Sequence, residues 1–382
     1  MLADIKSQTA VELRQQFRTW GQPPYRVSQL LEWLYVHRVT DWDAMTSLPK
    51  ALRDQLGTHY SLGALELLRK QGSRDSTQKF LWRLKDHSLI ESVLIPANPA
   101  LDGEASDRHT LCVSTQVGCA YGCRFCASGL EGFKRNLRVE EIVEQVLAVE
   151  RWNAQESSRS QVESSKPDAT QPATRNSQPA TDHRLISNLV IMGMGEPLAN
   201  YDNLLKALKI LNAPWGAGIG ARKITLSTSG LAPQIRKLAD EPLQFRLAIS
   251  LHGATDEVRD KIMPVNRRYP LRELVAACDY YQHKQGRMIT FEYILIAGVN
   301  DGLEQAGPLA ALARRLSAKV NLIPYNTVQG LPWERPSEQA QEAFLKALQK
   351  QKVTVTLRRE KGHDIDAACG QLRLRTEREL AA

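Results

Sequence analysis

Residues 110–137, TLCVSTQVGCAYGCRFCASGLEGFKRNL, join a strand to a cysteine-rich turn. The run TLCVSTQ (110–116) has the β-branched content of a strand. It leads into GCAYGCRFCASG (118–129), where Cys119, Cys123 and Cys126 have the spacing C-x3-C-x2-C. Three thiolates this close can take three irons of a [4Fe–4S] cube and leave the fourth iron open. An open iron suits chelation of the amino and carboxylate groups of a small ligand. A structural zinc site wants four closed ligands, usually from two knuckles, and no second Cys pair or Cys/His knuckle follows at suitable spacing.

The pattern begun at 110 continues downstream. NLVIM (188–192), KITLST (223–228), FRLAISL (245–251), MITFEYILI (288–296), KVNLIP (319–324) and VTVTL (353–357) also read as strands. Amphipathic helical faces lie between them: Val139, Ile142, Val143, Val146 and Leu147, then Leu204, Leu205, Leu208 and Leu211. Two more follow, Leu271, Leu274, Val275 and Cys278, then Leu309, Leu312, Ala313 and Leu316. Strand–helix alternation predicts an α/β fold with a parallel sheet. Six or so units over this length suit a barrel or partial barrel better than an open doubly wound sheet.

Upstream, residues 1–88 read as a small helical domain, with 89–382 as the β/α core. RVSQLLEWLYVH (26–37) has an apolar face of Leu30, Leu31, Leu34 and Tyr35. Four of the seven Trp lie here, at 20, 33, 42 and 82, either packing a core or stacking on bases. Residues 153–184 break the downstream pattern. They hold one large aliphatic residue, Val162, and no aromatic, so a disordered surface insertion is expected.

The chain has 382 residues and a net charge of +8. Residues 1–90 hold 13 Lys plus Arg against 9 Asp plus Glu, half the surplus in under a quarter of the length. A basic surplus suits an anionic partner such as RNA, or is a solvated surface with no partner. No run of 18 apolar residues exists, which excludes a transmembrane helix. MLADIKSQTAVELRQQF carries charges where a signal peptide needs apolar residues, so a cytosolic location and reduced cysteines are expected.

The motifs together resemble a known family. TLCVSTQVGCAYGCRFCASGLEGFKRNL (110–137), MGMGEPLANYDN (192–203), LSTSG (226–230), SLHGATDEVRDKIMPVN (250–266), NLIPYN (321–326) and GHDIDAACGQL (362–372) are similar to the RlmN-type radical S-adenosylmethionine (SAM) methyltransferases of rRNA and tRNA. QPPYRVSQLLEWLY (22–35) resembles that family's N-terminal accessory domain. The resemblance implies a radical SAM partial (β/α)6 barrel and the cofactors [4Fe–4S] and SAM. It implies methylation of adenine carbon 2 in 23S rRNA and in tRNA, by a monomer with no membrane partner. The alternatives are the sister Cfr-type carbon 8 activity and a zinc-holding RNA-binding protein without catalysis.

The roles it implies fall on named residues. Cys119, Cys123 and Cys126 would ligate the cluster. One SAM would methylate Cys369, and a second would be cleaved to a radical that takes a hydrogen atom from the methyl group. The resulting methylene radical would add to carbon 2, Glu91 would accept the carbon 2 proton, and Cys112 would attack Cys369 to release the product. An electron donor such as flavodoxin or ferredoxin would supply the cluster electron. Gly195, Glu196, Ser227, Ser250, Leu251, His252 and Asn326 would bind SAM. Read from charge alone, the basic residues Lys134, Arg135 and Arg138, Arg267 and Arg268, and Arg358, Arg359 and Lys361 either hold RNA phosphates or form a solvated face. Cys278, on an apolar helix face, is expected in the core.

Overall fold

A computed structural model describes residues 2–74, 76–97, 107–164, 184–358 and 369–381. It divides into two compact units, one of Met1–Leu65, Arg138–Ser187 and Lys206–Ile219, the other of Glu66–Leu137, Asn188–Leu205 and Gly220–Ala382.

The first unit is built on helices. Helix Ala10–Thr19 opens with a capping box, in which Thr9 and Glu12 satisfy each other's backbone amides. It buries Leu13 and Phe17, and helix Tyr25–Tyr35 buries Val27, Leu30, Leu31, Leu34 and Tyr35, the face expected from spacing. Strands β1 (Ala3–Asp4) and β2 (Tyr60–Ser61) pair in parallel. Trp20, Trp33 and Trp42 are half-buried. A long helix, Val139–Ser164, buries Ile142, Val143, Val146 and Leu147. It runs twelve residues into the stretch read as a disordered insertion, because Asn153–Ser164 carries no Pro or Gly to stop it. Residues 165–183 lie outside the described residues.

The second unit holds a ten-stranded sheet. Its strands are β3 (Glu66–Gly72), β4 (Gln78–Arg83), β5 (Leu89–Pro96), β6 (His109–Cys112), β9 (Ile186–Ile191), β10 (Ile224–Thr228), β11 (Arg246–Ser250), β12 (Thr290–Leu295), β13 (Lys319–Pro324) and β14 (Val355–Leu357), with β9 beginning two residues before the unit boundary. The order is β14-β13-β12-β11-β10-β9-β6-β5-β4-β3. Strands β9 to β14 are parallel to their neighbours, as the strand–helix alternation predicts. Strands β3 to β6 are antiparallel. The sheet therefore begins at Glu66, and residues 66–88 belong with it rather than with the helices expected there. Trp82 is buried on β4 and stacks on Phe80.

A small antiparallel hairpin, β7 (Gln116–Gly118) with β8 (Phe133–Asn136), closes the loop that carries Cys119, Cys123 and Cys126. Cys278 is fully buried, as expected. Among the described residues, no helix is long and apolar enough to cross a membrane.

Candidate active site

A cavity of about 570 Å3 opens within the sheet unit, at the carboxyl ends of the parallel strands. Those ends turn into loops whose side chains converge, which is why active sites of such sheets form there. Cys112, Cys119, Cys123, Cys126, Gly195, Glu196, Ser227, Ser250, His252, Asn326 and Cys369 all line it. Residues up to 257 positions apart thus share one wall, as the motif placement requires.

Cys119, Cys123 and Cys126 are half-buried on the loop closed by the β7–β8 hairpin. Burial pushes the Cys119 thiol up to about 12, and Cys123 and Cys126 are raised for the same reason. Backbone N–H groups oppose this. Tyr121 and Gly122 donate to the Cys119 sulfur, and Ser128 and Gly129 to the Cys126 sulfur. Donors aimed at sulfur favour the thiolate, the form that binds iron. Among the described residues no three His, Cys, Asp or Glu side chains converge as a single-ion site requires. A cube needs no such convergence, because each thiolate takes a different iron.

Cys112 ends β6, and its thiol is hydrogen-bonded to Cys369. That bond, helped by burial, raises Cys112 well above the usual thiol value. It lowers Cys369, with help from the charges of Lys79 and Arg358. The two sulfurs thus sit side by side in the cavity lining. The Cys369 thiol also contacts the Met192 carbonyl at 3.6 Å, and its own carbonyl accepts from the Ser128 hydroxyl at 3.3 Å.

Gly370 sits at φ +88, and an added Cβ would fall 2.9 Å from the Ser128 nitrogen. Only glycine lets the Cys369 turn dock on the loop that carries Cys126. Gly370→Ala is expected to slow RNA methylation at least about tenfold while iron content holds. A wild-type rate would show that the turn has room to spare.

The SAM-binding candidates divide. Gly195 has φ +99, and a Cβ there would meet the Gln116 side chain at 2.4 Å. The Glu196 carboxylate accepts from the Ser229 amide at 2.7 Å and the Leu198 amide at 3.0 Å. Burial raises its proton affinity, and those amides oppose the rise. The Ser227 and Ser250 hydroxyls lie 3.2 Å apart. Asn326 Oδ1 is buried with no hydrogen-bond partner, so a polar ligand group is owed to it. An amino-acid-bearing nucleoside such as SAM fits this set. Leu251 does not line the cavity. Its side chain is core, and its backbone is spent on Glu292 and Arg259.

His252 is buried at φ +54, with Nδ1 accepting from the Ile294 amide at 3.0 Å. Burial, reinforced by Arg259, depresses it to about 3 from 6.5. The unfolded chain therefore binds the extra proton between these values, so His252 lends stability that is whole above pH 6.5 and lost as pH falls toward 3. His252→Asn is expected to flatten this acid limb, by on the order of 4 kcal/mol at its end. Unfolding midpoints of both proteins across that window measure it, and parallel limbs would refute it.

Three residues of the site were not singled out from sequence. Arg259 is fully buried and ties the loops after β10 and β11 together, donating to the Ser229, Ser250 and Leu251 carbonyls. Glu292 on β12 lines the cavity and accepts from Asn321 at 3.0 Å. Lys79 on β4 lines it too. Glu91 does not. Its carboxylate meets Lys79 Nζ at 3.0 Å and the amides of Gly370 and Arg373 at 2.7 Å each. Of the basic residues, Lys134 pairs with Glu377, Arg135 with Asp86 and Arg138 with Glu140. Arg358 lines the cavity, and Arg268 lies over the Tyr269 ring. Arg359 and Lys361 lie outside the described residues.

Comparison with known proteins agrees with this geometry. Residues 3–62 match the ribosomal RNA large subunit methyltransferase N-terminal domain, and residues 180–306 match the radical SAM superfamily. A probable dual-specificity RNA methyltransferase RlmN 3 of Opitutus terrae is 54% identical, with 98% of this chain and 95% of that protein covered. The probable RlmN of Akkermansia muciniphila is 48% identical, with 98% and 96% covered. The crystal structure of a radical SAM methyltransferase from Sphaerobacter thermophilus superposes with a TM-score of 0.84 at 42% identity, covering 97% of this chain and 98% of that one. The chain belongs to the RlmN family of radical SAM RNA methyltransferases and is a SAM-dependent enzyme with their α/β fold.

Proposed function

We propose that this enzyme methylates carbon 2 of adenine in 23S rRNA, at the peptidyl-transferase centre, and in tRNA at the adenosine 3′ of the anticodon. The observation that carries the reading is the hydrogen-bonded Cys112–Cys369 pair in the same cavity wall as Cys119, Cys123 and Cys126. The relatives' description as dual-specificity RNA methyltransferases supports two RNA substrates.

Carbon 2 of adenine is electron-poor, and its C–H bond has negligible acidity. No side-chain base can turn it into a nucleophile toward a sulfonium methyl group. Cys119, Cys123 and Cys126 would hold a [4Fe–4S] cluster, which together with bound SAM would supply the hydrogen-atom abstraction that avoids this barrier. The chain's own residues do the rest. Gly195 and Glu196 face the SAM amino group, and Ser227, Ser250, His252 and Asn326 face its remaining polar groups. Cys369, the readier thiolate, takes a methyl group by displacement at carbon and later bonds that carbon to the base. Once the adduct radical has lost the carbon 2 proton and handed one electron back to the redox centre that the reductant charged, the Cys112 thiolate bonds to the Cys369 sulfur. The carbon–sulfur bond breaks, the methylated base departs, and the two cysteines are left as a disulfide. An external donor such as flavodoxin or ferredoxin supplies the cluster electron, and a reductant must return two electrons to the disulfide.

Mass spectrometry of digested rRNA from a deletion strain, with and without the gene restored, tests the proposal. The expected result is 2-methyladenosine that appears only with the gene. Gene-dependent 8-methyladenosine without 2-methyladenosine would overturn the regiochemistry.

A further inference from the structure

The Lys79–Glu91 ion pair has a geometry of its own. Register pairs Leu81 with Glu91 and Lys79 with Val93, so both charged side chains leave one face of the sheet on a diagonal. Both are buried, with side-chain exposures of 1% and 3%. The same region packs Leu81 and Leu89 against Leu372 of the C-terminal helix, Gln371–Ala381.

A helix's first-turn amides lack partners inside the helix, and a carboxylate there also meets the positive end of the helix dipole. Here that carboxylate comes from a strand 279 residues away. Glu91 Oε2 accepts from the Gly370 amide and Oε1 from the Arg373 amide, each at 2.7 Å. Lys79 Nζ, 3.0 Å from Oε2, keeps the buried carboxylate compensated. A buried ion pair adds little net stability over an apolar pair of similar size. This one instead fixes where the helix begins, and Cys369 is the residue before Gly370. From the other side Ser128 and Met192 hold Cys369 itself.

We propose that Lys79 and Glu91 are positioning residues: the ammonium holds the Glu91 carboxylate on the Gly370 and Arg373 amides, and that cap holds the Cys369 thiol at the cavity wall. The inference rests on the reading of Cys369 as methyl carrier. This part comes before, and stands beside, that of proton acceptor, which the family resemblance implies for Glu91. A proton acceptor is needed only after the carbon unit has joined RNA. A positioning pair is needed already when Cys369 takes its methyl group, with no RNA present.

The test uses the full-length, cluster-reconstituted enzyme with SAM and no RNA. Peptide mass spectrometry follows methyl-Cys369, and hydrogen exchange follows the Gly370 and Arg373 amides. In Glu91→Gln and Lys79→Met, both amides are expected to exchange at least about tenfold faster and methyl-Cys369 to form at least about tenfold more slowly, with iron content unchanged. Lys79→Arg should restore both readouts. The double variant Lys79→Met, Glu91→Gln leaves no buried charge and should show the same two losses if a single variant fails to fold. Wild-type methyl-Cys369 formation in Glu91→Gln, with only the RNA product lost, would overturn the proposal in favour of a proton acceptor. Unchanged amide exchange would also overturn it. Should the wild-type enzyme itself form no methyl-Cys369, the carrier reading falls, and amide exchange still judges the cap.

Discussion

Cys369→Ala is expected to abolish RNA methylation, a loss on the order of 10^4-fold or more, while the protein keeps its iron. The loss would be that large because a covalent carrier, the part proposed for Cys369, has chemistry that no neighbour can take over. Its neighbour Cys112 is no substitute, because burial together with that same contact raises the Cys112 thiol well above its usual value. Iron should be retained because Cys119, Cys123 and Cys126 belong to a separate loop, closed by its own hairpin. Removing one sulfur atom also opens little space, so the fold should survive. The measurement is RNA product per enzyme beside iron and acid-labile sulfide. Normal methylation by Cys369→Ala would end the carrier role.

Cys112→Ala is expected to trap the enzyme on its substrate. Methyl transfer to Cys369 needs no second thiol, so the first stage should run. Release does need one, because the carbon–sulfur bond to the base breaks only when another sulfur attacks Cys369. The hydrogen bond between the two thiols already brings them together, and a disulfide needs only local movement. Without Cys112 the expected product is RNA joined to Cys369, seen as a slow-migrating band on a denaturing gel that nuclease removes. Free methylated RNA at the wild-type rate, with no such band, would show that another group resolves the adduct.

Most of the parallel sheet was legible because its strands are dense in β-branched residues. NLVIM, KITLST and KVNLIP each fall within two residues of an observed strand. Strands β3 and β4 were not legible. ELLRKQG (66–72) and QKFLWR (78–83) contain no Val, Ile or Thr, and β3 is an edge strand with an exposed, charged surface. Pairing of β4 with β5, and of β3 with β4, makes them strands, and pairing is invisible in local composition. The same gap hid Lys79, whose place beside Glu91 exists only through the register of β4 with β5.

The cysteines of the site were legible because their spacing carries chemistry by itself. Cys369 was legible through its motif, but its contacts with Ser128 and Met192 were not. Leu251 shows the opposite failure. It sits between two cavity residues, Ser250 and His252, yet strand alternation turns its side chain into the core. Arg259 and Glu292 gave no local signal, since a charged residue in a helix or strand is usually solvated. Their importance comes from burial, which only the assembled sheet supplies.

Passage of the transferred carbon through Cys369 can be followed by isotope. Enzyme charged with deuterated methyl groups from labelled SAM, then freed of it, is mixed with unlabelled SAM, reductant and RNA for a single turnover. The expected first product is 2-methyladenosine carrying deuterium from the protein, with one deuterium lost to the abstracting radical. An unlabelled methyl group on the first product, with the labelled methyl still on Cys369, would contradict it.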